Sequence, residues 1–317
     1  MKNKSIIIIC GDPQSTFNEI LIKSFKNKVL ENVKFPIIII GSERLFQNEL
    51  KKFKTKISLK KFDNQNNLHK NNIYIFDIPL DNKNLSLEKK NSYIKKSFEI
   101  GLNFLKNNKS LALVNGPISK SSFLKGRHNG ITEYLAYKTG SSNEVMLIFN
   151  KDLSVSPITT HIPINKITKK IKKKIIITKV RSINEFYRKL LGFKPNIAIT
   201  GLNPHCETFT GKNVEKTEII PAIKILKKKK IKVSGPFSAD TIFLKKNRTK
   251  FDAILGMYHD QVLTPMKSLY EYDAINITLG LPFSRISPDH GPNEKMIGKN
   301  LSNPLSLIQA IRFLDKN

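Results

Sequence analysis

The chain has 317 residues, enough for roughly two domains, and its hydrophobic content of 39% suits an ordinary soluble protein. It carries 55 Lys and Arg against 25 Asp and Glu, a formal net charge of +30, but only seven of the basic residues are arginines. Nucleic-acid readers depend on arginine and interleaved aromatic residues, so we predict no nucleic-acid partner. Two cysteines are too few for a disulfide framework and indicate a reducing, cytoplasmic compartment.

Strand and helix patterns alternate along the chain. The first apolar run covers only residues 6–10. This run is too short for the core of a signal peptide or for a membrane span, so we predict no membrane partner. Apolar runs typical of buried strands cover residues 5–10, 35–40, 73–78, 111–114, 153–158, 197–200 and 253–255. Helical spacing of apolar residues covers 17–30, 92–106 and 183–191 and begins again near Pro304. Strands separated by helices pair in parallel, which predicts an α/β fold.

Three histidines occupy the same position relative to a predicted strand. His161, His205 and His259 each follow shortly after one of the last three apolar runs. In an open parallel sheet, ligand-binding groups collect at the carboxyl ends of the strands. Three imidazoles at one edge can bind a divalent metal and leave a coordination position open. A single histidine of this kind is more often a loop hydrogen-bonding residue, but the threefold recurrence favours the metal site.

Other polar residues suggest anion binding or acid–base chemistry. Lys267 offers a point charge suited to phosphate, and Arg285 offers a planar fork for a bidentate anion. Asp240 either caps the helix that follows it or acts as a base or metal ligand. We interpret Cys206 as a small residue in a tight loop rather than as a soft metal ligand. The chain has no G-x-G-x-x-G or Walker pattern, so a dinucleotide would bind without the Rossmann fingerprint.

A series of motifs in a fixed order resembles one known family. The motifs are Thr159-Thr160-His161-Ile162-Pro163, Gly201-Leu202-Asn203-Pro204-His205, Gly235-Pro236 with Ala239-Asp240-Thr241, Met257-Tyr258-His259-Asp260-Gln261, and residues 276–285. With Gly11-Asp12-Pro13 near the start and Asp289-His290-Gly291 near the end, they span nearly the whole chain. The chain therefore resembles the 4-hydroxythreonine-4-phosphate dehydrogenase family of vitamin B6 (pyridoxal 5′-phosphate) biosynthesis.

The resemblance implies a fold and an assembly. The family has two α/β subdomains around a central cleft, as in the isocitrate and isopropylmalate dehydrogenases, and forms a homodimer with a shared active site. On this pattern, residues 1–125 and 276–317 form the first subdomain with the cofactor loop. Residues 126–275 form the second, with the metal ligands and dimer contacts.

The resemblance also implies the chemistry and the residues that carry it. The reaction is oxidation of 4-phosphooxy-L-threonine at C3 by NAD or NADP with one divalent metal (Zn, Co, Mn or Mg), followed by decarboxylation to 3-amino-2-oxopropyl phosphate. The metal ligands are His161, His205 and His259, the last reaching across from the other subunit. The implied substrate contacts are Thr132, Lys267, Asn276 and Arg285; the assisting acids are Asp240 and Asp260; the NAD(P) loop is Asp289, His290, Gly291 and Asn293. Lys120 matches a family lysine to which we assign no role.

Three departures from the family pattern keep other functions open. Ile131 stands where the family has a histidine before Thr132, and His128 is either a compensating group or an exposed loop residue. Residues 14–19 lack the family's glycine-rich stretch, and residues 206–209 replace its Gly-Glu-Gly-Gly. The alternatives are a dehydrogenase of another phosphorylated hydroxy acid, a metal-dependent phosphatase, and a nucleic-acid binder that rests on the positive charge alone.

Overall fold

The computed structural model divides the chain into two compact units. The first unit is Met1–Tyr134 with Pro282–Asn317, and the second is Leu135–Leu281. The structure describes residues 5–27, 30, 33–63, 68–81, 85–106, 110–119, 123–124, 128, 130–207, 213–288 and 293–316. The predicted assignment of the cofactor loop to one subdomain and of the metal ligands to the other stays a prediction.

The described part of the first unit contains a six-stranded parallel sheet with the order β3-β4-β2-β1-β5-β12. Its strands are β1 (Ser5–Ile9), β2 (Ile37–Gly41), β3 (Leu59–Lys61), β4 (Ile73–Asp77), β5 (Ser110–Asn115) and β12 (Ser284–Pro288). The described helices are α1 (Phe17–Phe25), α2 (Glu43–Lys52), α3 (Leu87–Lys106) and α11 (Leu305–Lys316); α4 (Ile131–Thr139) contains the boundary between the units. All five residues of β1 and of β2 are buried, as expected for parallel strands covered by helices on both faces.

In the second unit, the described strand order is β11-β6-β7-β10-β8-β9. Its strands are β6 (Val145–Phe149), β7 (Ser154–Thr159), β8 (Ile197–Thr200), β9 (Val233–Phe237), β10 (Ala253–Tyr258) and β11 (Ile275–Leu279). Its helices are α5 (Ile167–Lys170), α6 (Lys173–Leu190), α7 (Ile220–Lys228), α8 (Ala239–Ile242), α9 (Lys245–Arg248) and α10 (His259–Tyr270). The ladders that join β7, β10, β8 and β9 are parallel, whereas β6 pairs antiparallel with both β7 and β11.

The predicted mixed α/β organisation is confirmed, with differences at particular elements. Helix α1 ends at Phe25 rather than at residue 30, and α6 begins at Lys173, well before the predicted 183. The alternative in which Asp240 caps a helix is wrong: the N-cap of α8 is Ser238, and Asp240 lies inside the first turn. Within the described residues, no helix combines the length and the apolar character needed to cross a membrane.

A buried ion pair fixes the loop after β1. Lys90 Nζ lies 2.8 Å from Asp12 Oδ2, and the two side chains are 8% and 0% exposed. Lys90 Nζ also donates to Gln14 Oε1 at 3.2 Å. We expect Lys90→Met to lower the free energy of unfolding by about 3–5 kcal/mol, because the Asp12 carboxylate stays buried without its counter-charge. Urea unfolding of the two proteins measures the difference.

An exposed ion pair on α3, the helix that contains Lys90, provides a matched control. Lys95 is 3.8 Å from Glu99, and these side chains are 62% and 51% exposed. Exposed pairs of this kind contribute about 0–1 kcal/mol, so Lys95→Met is expected to unfold almost as the unaltered protein does. Equal losses for the two variants would contradict the importance of the buried pair.

Candidate functional site

Four polar side chains emerge from one edge of the second unit's sheet. Strands β7, β10, β8 and β9 are neighbours in that order and run parallel, so their carboxyl ends lie at the same edge. The residues that follow these ends are His161, His259, His205 and Asp240, in the same order. The carboxyl edge of a parallel sheet is where ligand-binding groups collect in open α/β folds. The structure therefore places all three predicted metal ligands and one predicted acid at that edge.

The imidazoles of His161 and His259 lie close together. Their ring centroids are 5.6 Å apart. The β7–β10 ladder continues as far as Thr159 and Tyr258, and Thr159 Oγ1 donates to the Met257 carbonyl at 2.9 Å. The spacing of these two histidines is thus set by continuous strand pairing up to the residues just before them.

Asp260 lies beside His259 at the start of α10. Its Oδ1 is 2.9 Å from His259 Nδ1. This contact directs the other ring nitrogen, Nε2, away from the carboxylate, which is the arrangement of metal-binding histidines that are held by an outer carboxylate. The structure thus brings the predicted acid Asp260 into contact with a predicted metal ligand.

His205 is presented by a strained turn. It lies in a 3-10 turn, Pro204–Cys206, with a left-handed backbone at φ 54°, and Cys206 follows at φ 57°. Non-glycine residues in this region cost free energy and are often found at functional sites. His205 Nδ1 is 4.0 Å from Asp240 Oδ2, and both side chains are more than half exposed.

Cys206, the last residue of this turn, is half-buried and lies close to Gly201. A Cβ atom added to Gly201 would lie 2.7 Å from Cys206 Sγ, so the glycine is needed for the thiol to fit. Burial raises the pKa of the Cys206 thiol, which favours its protonated form. Both observations suit the interpretation of Cys206 as a small packing residue in a tight loop.

Glu215 supports the turn that carries His205, and the sequence analysis missed it. This fully buried carboxylate accepts hydrogen bonds from the backbone N–H groups of Leu202 and Asn203, both at 2.8 Å, and from Asn203 Nδ2 at 2.8 Å. A signal was available: Glu215 begins a π-helical turn, Glu215–Ile219, that leads into α7, and it shares a helical face with Ile219 and Ala222, which are buried. An acid in a buried stripe predicts a specific hydrogen-bonding role.

Arg285 belongs to a second cluster, in the first unit. It lies on β12 and is 1% exposed. Its Nε donates to Asn115 Oδ1 at 2.8 Å and its Nη1 to Thr132 Oγ1 at 3.3 Å. Burial lowers the pKa of Arg285 to about 10, against an opposing effect of the Glu133 carboxylate, so the guanidinium stays charged at neutral pH. The structure thus joins two predicted substrate contacts, Arg285 and Thr132, and adds Asn115.

The remaining predicted residues of the second unit lie on separate elements. Lys267 is half-buried on α10, and Asn276 lies on β11, where it pairs with Ile148. The buried Oδ1 of Asn276 accepts no hydrogen bond from the described residues. Among those residues, no three His, Cys, Asp or Glu side chains are grouped closely enough to hold a metal.

Most of the predicted cofactor loop cannot be placed. Asp289, His290 and Gly291, like Lys120, lie outside the described residues. Asn293 is described: it has a left-handed backbone with φ 52° and precedes a 3-10 turn, Glu294–Met296.

The departures near Thr132 are visible in the first unit. Ile131 is half-buried at the first position of α4. The His128 ring packs edge-on against Tyr134, with centroids 5.7 Å apart. His128 is therefore engaged with an aromatic ring, and whether it compensates for Ile131 stays a prediction.

Comparisons with known proteins agree with the resemblance. The family model of the pyridoxal phosphate biosynthetic protein PdxA matches residues 33–314. The chain is 37% identical over 316 residues to the 4-hydroxythreonine-4-phosphate dehydrogenase of Sulfurihydrogenibium sp. (strain YO3AOP1), which covers 97% of this chain and 96% of that protein.

Solved structures agree as well. The crystal structure of 4-hydroxythreonine-4-phosphate dehydrogenase from Klebsiella pneumoniae matches with a TM-score of 0.83 and 27% identity, over 98% of each chain. An isocitrate dehydrogenase from Methylococcus capsulatus shares the fold, with a TM-score of 0.52 and 12% identity over 99% of this chain and 85% of that one. The predicted fold class is thereby confirmed, and the chain belongs to the PdxA family of pyridoxal phosphate biosynthetic proteins.

Proposed function

We propose that this chain oxidises 4-phosphooxy-L-threonine (4-hydroxythreonine 4-phosphate) at C3 with NAD or NADP and a divalent metal. Loss of CO2 from the resulting β-keto acid then gives 3-amino-2-oxopropyl phosphate for vitamin B6 biosynthesis. The name of the 37% identical relative supports the substrate. The observation that carries the proposal is the row His161, His259, His205 and Asp240 along the carboxyl edge of four adjacent parallel strands.

The donor chemistry of this edge fits a divalent metal. Imidazole nitrogen is a ligand for divalent metals such as zinc and cobalt, and three imidazoles follow adjacent strands along this edge. We propose that His161 and His205 of one subunit bind the metal together with His259 of the other subunit of a homodimer; a set shared in this way agrees with the finding that the described residues of one chain group no three such ligands.

Arg285 is proposed as the phosphate anchor. A charged guanidinium binds two phosphate oxygens at once, and Asn115 fixes its orientation through Nε. Thr132 Oγ1 accepts a hydrogen bond from Arg285 Nη1, and its own hydroxyl proton can be donated to the same phosphate. Lys267 and Asn276 are proposed as further substrate contacts, the latter because its Oδ1 has an unused acceptor position among the described residues.

The acids are proposed to move protons. When bound, the metal lowers the pKa of the C3 hydroxyl and later polarises the ketone, while NAD(P) accepts the hydride. Asp240 is exposed beside His205, so its Oδ2 can accept the hydroxyl proton. Asp260 holds the Nδ1 proton of His259 and keeps Nε2 directed outward. Asp289, His290, Gly291 and Asn293 remain the proposed NAD(P) loop, and a cytoplasmic location stays a prediction.

A single assay tests this function. Purified protein is mixed with 4-phosphooxy-L-threonine, a divalent metal and either NAD or NADP, and the reduced cofactor is followed by its absorbance. We expect reduction of the cofactor with stoichiometric release of CO2, and no reduction after the metal is removed with a chelator. Release of inorganic phosphate without cofactor reduction would instead indicate the phosphatase.

Ile131 favours one second candidate, a dehydrogenase of another phosphorylated hydroxy acid. This half-buried aliphatic side chain precedes Thr132 and can neither donate a hydrogen bond nor titrate. A substrate whose polar group needs a donor there would bind less well. Cofactor reduction with a phosphorylated four-carbon sugar acid, and none with 4-phosphooxy-L-threonine, would establish this candidate in place of the first.

A further inference from the structure

The pairing of β8 with β10 ends before the strands do. The ladder joins Ala253 to Ile197 and ends where Leu255 faces Ile199. Beyond that point β10 continues to Tyr258 and β8 to Thr200. The last residues of these two strands, which lead to His259 and His205, are therefore not held together by backbone hydrogen bonds of the ladder.

The side chain of Gln261 bridges this gap. Its Oε1 accepts from the backbone N–H of Met257 at 2.7 Å and from Thr200 Oγ1 at 2.8 Å. Its Nε2 donates to the carbonyl of Gly201 at 2.8 Å. Both acceptor positions of the amide oxygen are thus used. One half-buried amide joins the end of β10 to the end of β8.

The local backbone is shaped to admit this bridge. A Cβ atom added to Gly256 would lie 3.0 Å from Gln261 Oε1 and 2.3 Å from a methyl carbon of Val262. Only a glycine at this position of β10 lets the first turn of α10 pack so closely against the strand. The buried Thr200 hydroxyl supplies the contact from β8.

We propose that Gln261 is a positioning residue that sets the distance between His205 and His161, the two metal ligands that one subunit is proposed to contribute. The β7–β10 ladder fixes the strand end that leads to His161 relative to β10, and the Gln261 amide fixes the strand end that leads to His205 on the other side of β10. This inference rests on the metal site of the proposed function. Gln261 touches none of the three histidines in the described contacts and acts through the backbone at Met257 and Gly201.

Metal affinity measures this role directly. The full-length protein, stripped of metal, is titrated with Co²⁺, and the visible absorption of the bound ion reports both affinity and coordination geometry. For Gln261→Met, which keeps the length of the side chain and removes its hydrogen bonds, we expect the Kd for Co²⁺ to rise about 10–100-fold, the range typical of groups that orient metal ligands. We also expect an altered Co²⁺ spectrum, which a loss of stability alone would not produce.

Thr200→Val provides a second and milder variant. It removes one of the three hydrogen bonds of the amide and keeps the shape of the side chain. We expect a smaller rise in Kd, and a double variant no weaker than Gln261→Met, because both changes break the same bridge. Gln47→Met, a half-buried glutamine on α2 in the first unit, is the matched control and is expected to bind Co²⁺ as the unaltered protein does.

The outcomes separate this inference from the function on which it rests. If Gln261→Met and Thr200→Val keep the Kd within about twofold while His205→Ala loses Co²⁺, the positioning role is overturned and the metal site stands. If the unaltered protein binds no Co²⁺, both fall. If Gln261→Met fails to fold, the test rests on Thr200→Val. An unchanged Kd for Co²⁺ and an unchanged Co²⁺ spectrum in Thr200→Val would then overturn the inference.

Discussion

His205→Ala is expected to remove the bound metal and to abolish cofactor reduction. Among the three proposed ligands, His205 is the one that follows β8. Its loss therefore leaves two of the three ligands. We expect metal affinity to fall by more than the roughly 100-fold seen at most for outer groups around a metal. The side chain is 68% exposed, so the metal-free protein should lose at most about 1 kcal/mol of stability, and only because alanine tolerates the left-handed backbone at φ 54° less well than histidine does. Metal analysis after dialysis and the cofactor assay measure the two effects.

Two companions make this result interpretable. His205→Asn tests the same loss with a residue that tolerates the left-handed backbone at φ 54°, so it separates ligand loss from turn distortion. His69→Ala removes an exposed histidine of the first unit, where the backbone N–H donates to Tyr74. His69→Ala should keep full metal content. Full activity in either His205 variant would refute the assignment of that residue.

Arg285→Ala is expected to raise KM for the phosphorylated substrate by about 10–100-fold while the protein still binds metal. A hydrogen bond to a charged group contributes about 1.5–3 kcal/mol, and the guanidinium is proposed to make more than one with the phosphate. Because the substitution also leaves the buried Asn115 oxygen without its donor, the free energy of unfolding should fall by about 1–3 kcal/mol. Initial rates are measured at substrate concentrations up to saturation, at a temperature where the variant is folded. These rates give the change in KM.

Arg285→Lys refines the test of the phosphate anchor. Lysine keeps the charge and loses the planar fork, so KM should lie between the values of the unaltered protein and Arg285→Ala. Arg44→Ala is the control in the same unit, since Arg44 forms an exposed pair with Asp81 at 3.4 Å. An unchanged KM in Arg285→Ala would remove this residue from the substrate site.

The strands and their polar ends were predictable because both follow from local chemistry. A continuous apolar run such as residues 197–200 indicates a buried strand wherever it lies in the chain, and the next polar residue marks its carboxyl end. The helix that begins at His259 was not predicted, since Pro265 lies inside it and proline normally argues against a helix interior. In this case the tertiary context overrides the local preference.

The supporting residues could not be predicted for a different reason. Glu215 and Gln261 act through backbone groups of loops and strands distant in the chain, so their partners depend on which strands are neighbours. Asn115 likewise meets Arg285 across 170 positions of sequence. Periodicity identifies elements, whereas these hydrogen bonds depend on the order of the elements in the sheet. The pairing of His161 with His259 has the same origin, because β10 lies between β7 and β8.

This strand order has a consequence for the making of the protein. Thr159 and Met257, whose contact closes the β7–β10 edge, are 98 positions apart in the chain. During synthesis, β7, β8 and β9 emerge before their central neighbour β10, and contacts of such long range form late because loop closure must precede them. The His161 and His205 loops of the second unit are therefore synthesised before the strand that separates them, and the emergence of β10 joins β7 to β8 and adds His259 to the row before β11 follows.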